Sequence, residues 1–389
     1  MTENKPLELY FHIPFCLKKC DYCDFLSFKT STVVWDSYMK ALIQETKEKS
    51  EPYKDCTIIS IFIGGGTPSL VPGKWISKLL ATVKENYQLS DNAEITIEVN
   101  PGTVNEEKLR QYYEAGINRL SIGLQSALDK ELKTLGRIHD FSQFQDSYDT
   151  ARMVGFSNVN VDIMSALPFQ TLSDYKQTLK ALLELEKRPE HISAYSLILE
   201  EGTPFFEKQK AGLIVFPDED SDREMYELTE NTLTEAGFSR YEISNYAIPG
   251  YECKHNCGYW RRRDYIGFGI GAASLYHNIR FSNGRDLSAY INNPMGVILE
   301  KQILTKEEQM EEFFFLGLRL LEGVSKKEFW DYFACDVDEI YGSVIQKHMK
   351  DGLLQGVPKK RDSGEEDVRL QLTKRGTDLS NYVMASFLF

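Results

Sequence analysis

The stretch LYFHIPFCLKKCDYCDF at residues 9–25 places three cysteines directly after a short apolar segment. Cys16, Cys20 and Cys23 have the spacing C-x3-C-x2-C. Thiolates this close together can bind iron, and three of them leave one iron of a four-iron cubane without a protein ligand. We therefore expect this loop to hold a [4Fe-4S] cluster whose open iron binds a small molecule.

A structural zinc site is the alternative interpretation of these cysteines, with His12 as a fourth ligand. Zinc sites usually combine two ligand pairs that are separated by a dozen residues or more. No second pair follows the cysteine run at that distance. The spacing therefore favours the iron–sulfur cluster.

The composition is that of a soluble globular protein, and the length exceeds what a single hydrophobic core usually supports. The chain has 389 residues, of which 42% are hydrophobic and 26% charged, and its net charge is −13. This negative charge argues against a nonspecific nucleic-acid binder. Neither a signal segment nor a window near the roughly 18 apolar residues of a membrane span is present, so we expect a cytoplasmic protein. Seven cysteines, an odd number, make a disulfide framework improbable there.

Strand-like and helix-like segments alternate six times along residues 9–197, with short connections. This alternation predicts an α/β fold with a parallel sheet. An open doubly wound sheet and a barrel both fit the pattern. Polar or glycine-rich residues stand at the carboxyl ends of most strands, where barrel active sites are built. We therefore predict a partial (β/α)6 barrel.

The alternation weakens after residue 205, and the composition changes again near residue 304. Three helices followed by a strand pair predict a small winged-helix-like α+β domain at the carboxyl end, with a charged loop at 361–367. The predicted domains are a barrel core at 1–210, an extension that completes the barrel side at 211–303, and the small domain at 304–389.

Candidate ligand-binding residues stand at the ends of the predicted strands. The glycines at 64–66 follow a buried strand, where they form a tight turn or let the backbone approach a ligand closely. Glu98 and Gln125 end two further strands and would point into a barrel mouth, although Glu98 alone could be a surface charge. Asp162 lies within an apolar strand, which is costly without a partner. Arg137 could be that partner or could bind a ligand carboxylate.

The cysteine motif after the first strand resembles the signature of the radical S-adenosylmethionine (SAM) superfamily. In that superfamily the open iron binds the amino and carboxylate groups of SAM, and the protein positions and shields the cofactor. A series of motifs between residues 12 and 205 resembles the coproporphyrinogen III oxidase-like branch in the same order: HIPFC, GGGTPS, IEVNP, GLQS, LGRIH, DIMSALP and EEGTPF.

This resemblance implies a set of residues that contact SAM. Matched position by position, the set comprises Tyr10, Tyr22, Gly65, Gly66, Thr67, Glu98, Gln125, Arg137 and Asp162. Ala273, in the later glycine-rich segment, matches the same pattern.

Residue 25 indicates which group within the branch the chain resembles. The oxidases that decarboxylate coproporphyrinogen carry a further cysteine two positions after the third, and this chain has Phe25 there. The chain also begins without the long extension of those oxidases. Both features, and the segment after residue 304, are similar to the HemW group of haem chaperones.

The segment CKHNCGYW at residues 253–260 combines a histidine with two cysteines and two aromatic rings. Such a set can form a haem-iron site, and a structural loop histidine is the alternative for His255. HNxxYW is the motif linked with haem binding in HemW proteins, which favours His255 as a ligand. Cys253 and Cys257 could be further iron ligands or small loop residues. The arginines at 261–263 either form a solvated face or meet haem propionates.

The resemblance implies a haem chaperone that binds a [4Fe-4S] cluster and SAM, holds haem near His255 and transfers it to haem-requiring respiratory proteins. Peripheral membrane association through these acceptors and a homodimer belong to the same expectation, and no nucleic-acid partner is expected. The alternatives are an oxygen-independent coproporphyrinogen III dehydrogenase and another radical enzyme acting on a tetrapyrrole. Whether SAM is cleaved is left open by the sequence.

Overall fold

The computed structural model describes residues 5–296, 298–360 and 364–389. Within these residues, twelve strands form one sheet, and its centre consists of six parallel strands in chain order. They are β1 (Lys5–Ile13), β2 (Cys56–Gly65), β3 (Gln88–Val99), β4 (Arg119–Gln125), β5 (Val159–Ser165) and β6 (His191–Ser196). This arrangement confirms the predicted α/β fold with a partial barrel.

Helices connect the parallel strands and cover one face of the sheet. They are α1 (Thr32–Glu48), α2 (Gly73–Asn86), α3 (Glu106–Ala115), α4 (Asp129–Thr134), α5 (Phe141–Val154) and α6 (Leu172–Leu183). Helices α3 and α5 each end at a glycine. Gly116 and Gly155 follow them with φ of +101° and +119°, a left-handed conformation that glycine adopts without strain.

The two faces of the parallel sheet differ in polarity because successive side chains of a strand point to opposite sides. One set of positions is apolar and joins the main core against the helices: Leu7, Leu9, Phe11, Ile13, Ile61, Ile63, Ile95, Ile97, Leu120, Ile122, Leu124, Val159, Val161 and Ile163. The alternate positions face the inside of the curved sheet, which we call the lumen: Glu8, Tyr10, His12, Ser60, Phe62, Glu94, Thr96, Glu98, Arg119, Ser121, Gln125, Asn160, Asp162, His191, Ser193 and Tyr195. The lumen is thus almost wholly polar.

The segment after β6 extends the sheet on both sides. It contains α7 (Pro204–Lys210), α8 (Glu219–Glu235), β7 (Ser239–Arg240), β8 (Asn245–Ala247), α9 (Lys254–Trp260), β9 (Tyr265–Phe268), β10 (Ala273–Tyr276), β11 (Ile279–Asn283), α10 (Leu287–Asn292) and β12 (Ile298–Ile303). Strand β8 pairs antiparallel with β6, and β9 pairs parallel with β1. Residues 254–260, which include His255, form α9 and not the loop that the alternative interpretation of His255 assumed.

The carboxyl-terminal residues build a second core. They form α11 (Lys306–Gly317), β13 (Val324–Ser325), α12 (Lys326–Phe333), α13 (Val337–Lys350), β14 (Leu354–Lys360), β15 (Glu366–Leu372), α14 (Lys374–Asp378) and α15 (Ser380–Ala385). The sheet order is β13-β15-β14, and the rings of Phe314 and Phe387 stack at 4.1 Å within the core. The three helices followed by a strand pair agree with the prediction, and β13 adds a third strand.

Two sequence predictions are only partly covered by these observations. The charged loop predicted at 361–367 lies partly outside the described residues, and Glu366 and Asp367 belong to β15. The division into domains at 1–210, 211–303 and 304–389 stays a prediction. Across the part of the chain that the structure describes, no helix is both long and apolar enough to cross a membrane.

Candidate functional site

A cavity of about 350 Å³ lies at the carboxyl ends of the central strands and continues into the lumen. Its volume is within the range of pockets that hold small ligands. The cysteine loop, the turn after β2 and the polar positions of β3 to β6 line it. The predicted site residues found there are Cys16, Cys20, Cys23, Tyr22, Gly65, Gly66, Thr67, Glu98, Gln125, Arg137 and Asp162.

The three cysteines are free thiols, partly exposed, on one wall of the cavity. Arg137 donates from Nη1 to the Cys20 Sγ atom at 3.8 Å, and the Cys16 Sγ atom lies 3.7 Å from the Thr67 hydroxyl. Burial raises the pKa of the Cys16 and Cys23 thiols. Metal ligation would therefore displace protons from these two groups. The thiol set and its hydrogen-bond donors fit an iron–sulfur cluster.

The zinc alternative does not fit the position of His12. Its Nδ1 atom lies 3.0 Å from the Tyr10 hydroxyl and its Nε2 atom 2.9 Å from the carbonyl oxygen of Leu26, so both nitrogens are engaged. Among residues 5–296, 298–360 and 364–389, no three His, Cys, Asp or Glu side chains are grouped closely enough to hold one metal ion. A cubane requires no such convergence, because each cysteine binds a different iron.

Glycines bring the turn after β2 against the cysteine loop. A Cβ atom on Gly66 would lie 2.7 Å from the Phe15 carbonyl oxygen and 3.1 Å from the Cys16 Sγ atom. Gly65 has a φ of +123°, and its N–H donates to the Glu98 Oε2 atom at 3.0 Å. Close approach and positive φ both require glycine here, which accounts for the glycine run.

Two half-buried carboxyl groups, those of Glu98 and Asp162, face the cavity. Burial, together with the nearby Asp162, raises the pKa of Glu98 to about 8, although the Gly65 N–H lowers it. Burial also raises the pKa of Asp162, against hydrogen bonds from Asn160 and Ser193 that lower it. A cation placed between the two acids would favour their ionised forms. SAM carries such a charge permanently on its sulfonium, so these residues fit SAM as a ligand.

Arg137 is held in place by groups other than Asp162. Its Nη2 atom donates to Asn100 Oδ1 at 3.0 Å and to the Gly123 carbonyl oxygen at 2.7 Å. The carboxylate of Asp162 instead accepts from the Asn160 amide at 2.7 Å. The interpretation of Arg137 as the direct partner of Asp162 is therefore wrong, because its guanidinium donates to Cys20, Asn100 and Gly123.

Several residues of the cavity were missed by motif reasoning. Arg119 and a group of amides and hydroxyls line the lower part: Asn100, Ser121, Asn160, Ser193, Tyr195, Asn245 and Asn256. A signal for most of them exists in the sequence. The strand segments RLSIGLQ and VNVDI alternate polar and apolar residues, as expected of a strand with one polar face.

Three predicted site residues lie outside the cavity lining. The Tyr10 ring is half-buried and stacks on Phe62 at 6.4 Å, and Phe62 itself lines the cavity. Ala273 is exposed at the start of β10. The third residue, His255, lies in α9, beneath the cavity.

His255 is only 1% exposed. Its Nδ1 atom lies 2.8 Å from the Ser60 hydroxyl, its Nε2 atom 3.0 Å from the Tyr259 hydroxyl, and its ring stacks on Phe62 at 5.3 Å. Burial, with a smaller effect from Arg119, lowers the pKa of His255 to about 3, so the ring is neutral. In this geometry neither nitrogen is free, and ligation of haem iron by His255 would first require the Tyr259 contact to break.

The helix α9 is fastened at its amino end by Glu94. The carboxylate accepts the backbone N–H groups of Lys254 and His255, both at 3.1 Å, and the Cys253 thiol at 3.6 Å. Such an acceptor satisfies N–H groups that the helix itself leaves unpaired. Cys253 is therefore a buried structural thiol, whereas Cys257 lines a different cavity outside the lumen.

Family comparisons agree with the cysteine cavity and the barrel. Residues 10–182 match the Radical SAM superfamily and residues 304–379 match the HemN C-terminal domain. The solved coproporphyrinogen III oxidase (HemN) from Escherichia coli has the same fold, with a TM-score of 0.84, 24% identity, and coverage of 99% of this chain and 90% of that one. Fold and site thus define a radical SAM protein.

Sequence relatives narrow the family further. A heme chaperone HemW from Lactococcus lactis is 35% identical, with 99% of this chain and 98% of that protein covered. The Bacillus subtilis heme chaperone HemW is 36% identical at 97% and 98% coverage, and the one from Escherichia coli is 37% identical at 92% of both. The chain belongs to the HemW family.

Proposed function

We propose that this chain is a haem chaperone that holds a [4Fe-4S] cluster and SAM, binds haem, and transfers it to haem-requiring respiratory proteins. The observation that carries the proposal is a cysteine-lined cavity in a chain related over nearly its whole length to proteins named heme chaperone HemW. A cytoplasmic location, a homodimer and contact with membranes through the haem acceptors are parts of the same proposal.

The cavity residues would divide the work of holding the two cofactors. Cys16, Cys20 and Cys23 would bind three irons, and the fourth iron would bind SAM, to which a reduced cluster can supply an electron. Arg137 donates toward the cysteine loop and would stabilise the negative charge of the thiolates. Glu98, with Asp162, would face the positively charged part of SAM. The glycines after β2 would let the protein backbone approach SAM closely.

Phe25 favours the chaperone over the dehydrogenase. Its side chain lines the same cavity as the cysteines and is 71% exposed. An apolar ring therefore stands where the oxidases carry their additional thiol. This chain therefore has no thiol at position 25.

The test uses the full chain with its cluster reconstituted under anaerobic conditions. The protein receives haem in one arm, and SAM, a strong reductant and coproporphyrinogen III in the other. We expect a haem absorption band that survives gel filtration, and no protoporphyrinogen. Formation of protoporphyrinogen above the level of a Cys16→Ala, Cys20→Ala, Cys23→Ala control would overturn the chaperone and support the dehydrogenase.

A further inference from the structure

A chain of hydrogen bonds runs from Arg137 to the cysteine loop through Asn100 and Thr67. The Arg137 Nη2 atom donates to Asn100 Oδ1 at 3.0 Å, and the Asn100 Nδ2 atom donates to Thr67 Oγ1 at 2.8 Å. The Thr67 hydroxyl lies 3.7 Å from the Cys16 Sγ atom, within reach of a hydrogen bond to sulfur. We call Arg137, Asn100 and Thr67 the relay.

The direction of every hydrogen bond in the relay is fixed by its arginine end. A guanidinium only donates, so the side-chain oxygen of Asn100 must accept from it, and the amide nitrogen must face Thr67. The Thr67 oxygen accepts from this nitrogen, which leaves its own hydrogen free for Cys16. A cysteine that binds iron has no proton, so its sulfur can only accept this hydrogen. The relay therefore ends with an O–H group that donates to a cluster ligand.

Backbone contacts hold the relay between the turn after β2 and the end of β3. The Thr67 N–H donates to the Phe15 carbonyl oxygen at 2.7 Å. The Asn100 N–H donates to the Ser69 hydroxyl at 3.1 Å, and the Asn100 carbonyl oxygen accepts from the Thr103 hydroxyl at 2.6 Å. Thr67 is only 4% exposed, so water competes little for its hydroxyl.

Arg137 reaches two of the three cysteines. Its Nη1 atom donates directly to the Cys20 Sγ atom at 3.8 Å, whereas Cys16 is reached through the relay. The Gly123 carbonyl oxygen accepts from Nη2 at 2.7 Å and fixes the guanidinium in this position. Hydrogen bonds polarise one another along such a chain, so the positive charge of Arg137 makes the Thr67 hydroxyl a stronger donor.

We propose that Asn100 and Thr67 are positioning residues that carry the charge of Arg137 to the Cys16 sulfur and thereby raise the reduction potential of the cluster. Hydrogen bonds to the cysteine sulfurs are among the factors that set this potential. A donor stabilises the reduced cluster more than the oxidised one, because reduction adds negative charge to the sulfurs. The inference rests on the cluster in the proposed function and is independent of haem.

The test is a potentiometric titration of the full, cluster-loaded chain without SAM, with electron paramagnetic resonance of the reduced cluster as the readout. Thr67→Val removes the donor and keeps the branched side chain, so its reduction potential is expected to be more negative than that of wild type. Thr67→Ser keeps the hydroxyl and should stay close to wild type. Thr96→Val is the matched control, because Thr96 is also buried and its hydroxyl has no hydrogen-bond partner within the described residues. Equal iron content shows that each variant is loaded.

Asn100→Ala tests whether the relay passes through the amide. This variant should shift the potential in the same direction as Thr67→Val, because the Thr67 hydroxyl then lacks the donor that orients it. In the Thr67→Val background the same substitution should shift the potential less than in wild type, since part of its effect runs through the hydroxyl. Equal shifts in the two backgrounds would show that Asn100 does not act through Thr67 and would overturn the relay.

The outcomes separate this inference from the function on which it rests. If wild type takes up no cluster, the proposed function and the relay are both wrong. If wild type holds the cluster and Thr67→Val has the same potential, only the relay is wrong. A potential of Thr67→Ser as negative as that of Thr67→Val would also overturn the relay, because altered packing would then explain the shift. If Thr67→Val takes up no iron, Asn100→Ala decides: an unchanged potential overturns the relay, and a more negative one supports it.

Discussion

Glu8 is an acidic side chain buried in the lumen with an unusual titration. Burial raises its pKa from 4.5 to about 8, with Arg263 acting in the opposite direction. In the described part of the chain, neither carboxylate oxygen has a hydrogen-bond partner. The uncharged acid is therefore the form that the fold tolerates.

We predict that Glu8 makes stability depend on pH. Between pH 4.5 and 8 the folded chain keeps a proton that the unfolded chain has lost, so the free energy of unfolding falls as pH rises through this window. In Glu8→Gln this loss should be absent. Between about pH 5.5 and about pH 8, the free energy of unfolding of the variant should therefore rise by up to roughly 3 kcal/mol relative to that of wild type. Urea unfolding at both pH values measures it, with exposed Glu85→Gln as control. A difference that does not change with pH would contradict the prediction.

Glu98 should link SAM binding to pH. Its pKa of about 8 means that the ligand-free carboxyl is mostly protonated at neutral pH, whereas a sulfonium favours the ionised form. The affinity for SAM should therefore rise with pH up to about pH 8, by at most about tenfold per unit.

Calorimetric titration of the cluster-loaded chain with SAM at several pH values measures this dependence. Glu98→Gln should bind more weakly and show a flatter profile. Titration of SAM itself affects both proteins equally. Parallel profiles for the two would show that Glu98 does not face the charge.

At the residue scale, sequence motifs predicted the residues of the upper part of the site but not those of the lower part. The cysteine run and the LGRIH segment with Arg137 are each recognisable as local patterns, and the structure brings them to one cavity. The environment of His255 could not be predicted in the same way. Its partner Ser60 is 195 residues away in the chain, and nothing near either residue indicates the contact.

At the scale of elements, α9 depends on a carboxylate from another strand. It has only seven residues, and a helix this short is not stable on its own. Sequence reasoning placed a loop here because the partner of its N–H groups, Glu94, belongs to β3. The ends of α3 and α5 were predictable because their signals, glycines at the carboxyl ends, lie within the segments.

We predict that Glu94→Gln loosens α9. Hydrogen bonds to a charged acceptor contribute about 1.5–3 kcal/mol, and the amide of glutamine replaces only part of this. Amide hydrogen exchange in residues 254–260 should become faster, and the free energy of unfolding should fall by roughly 1–2 kcal/mol. Glu85→Gln is the matched exposed control. Unchanged protection of α9 would show that Glu94 does not hold it.

The turn after β2 should tolerate no side chain at Gly66. Its added Cβ would meet the Phe15 carbonyl oxygen and the Cys16 sulfur, so Gly66→Ala should displace the cysteine loop. We expect less iron bound per chain after reconstitution, with unchanged far-ultraviolet circular dichroism. Gly342→Ala, whose Cβ would have only a side-chain carbon at 3.9 Å, is the control. A full iron content in Gly66→Ala would contradict the expectation.

At the scale of the whole molecule, Glu312 joins the carboxyl-terminal residues to the barrel extension. Its two oxygens accept from Arg262 at 2.6 Å and from Arg280 at 2.8 Å, and the carboxylate is 14% exposed. The backbone adds a hydrogen bond from the Leu321 N–H to the Tyr241 carbonyl oxygen. Further ion pairs join the same two parts of the chain, and Ile243 packs against the carboxyl-terminal core.

Glu312→Gln should therefore weaken the attachment of the carboxyl-terminal unit. Loss of the charge leaves two arginines without their counter-ion and should cost roughly 1–3 kcal/mol. In calorimetry the variant should show an earlier or split unfolding transition. Exposed Glu307→Gln in the same helix α11 is the control. Identical transitions for Glu312→Gln and wild type would mean that other contacts carry the attachment.

The overall architecture was only partly predictable. The alternation of segments predicted the parallel sheet because each βα unit is a local pattern. The flanking strands were not predicted. Strand β9 has four residues and pairs with β1, more than 250 positions earlier, while β7 and β8 are shorter still. Strands this short are stabilised by pairing with distant strands, so the local sequence gives little signal for them.

The separation of the sheet into an apolar outer face and a polar inner face has a consequence for how such a protein changes over generations. Outward positions, such as Ile97 and Ile122, share in the main core and so carry the cost of mutation. Inward positions, such as Ser121 and Ser193, line the ligand cavity instead. Ligand preference can thus drift by substitution at these cavity-lining positions while the apolar outer face keeps the main core intact.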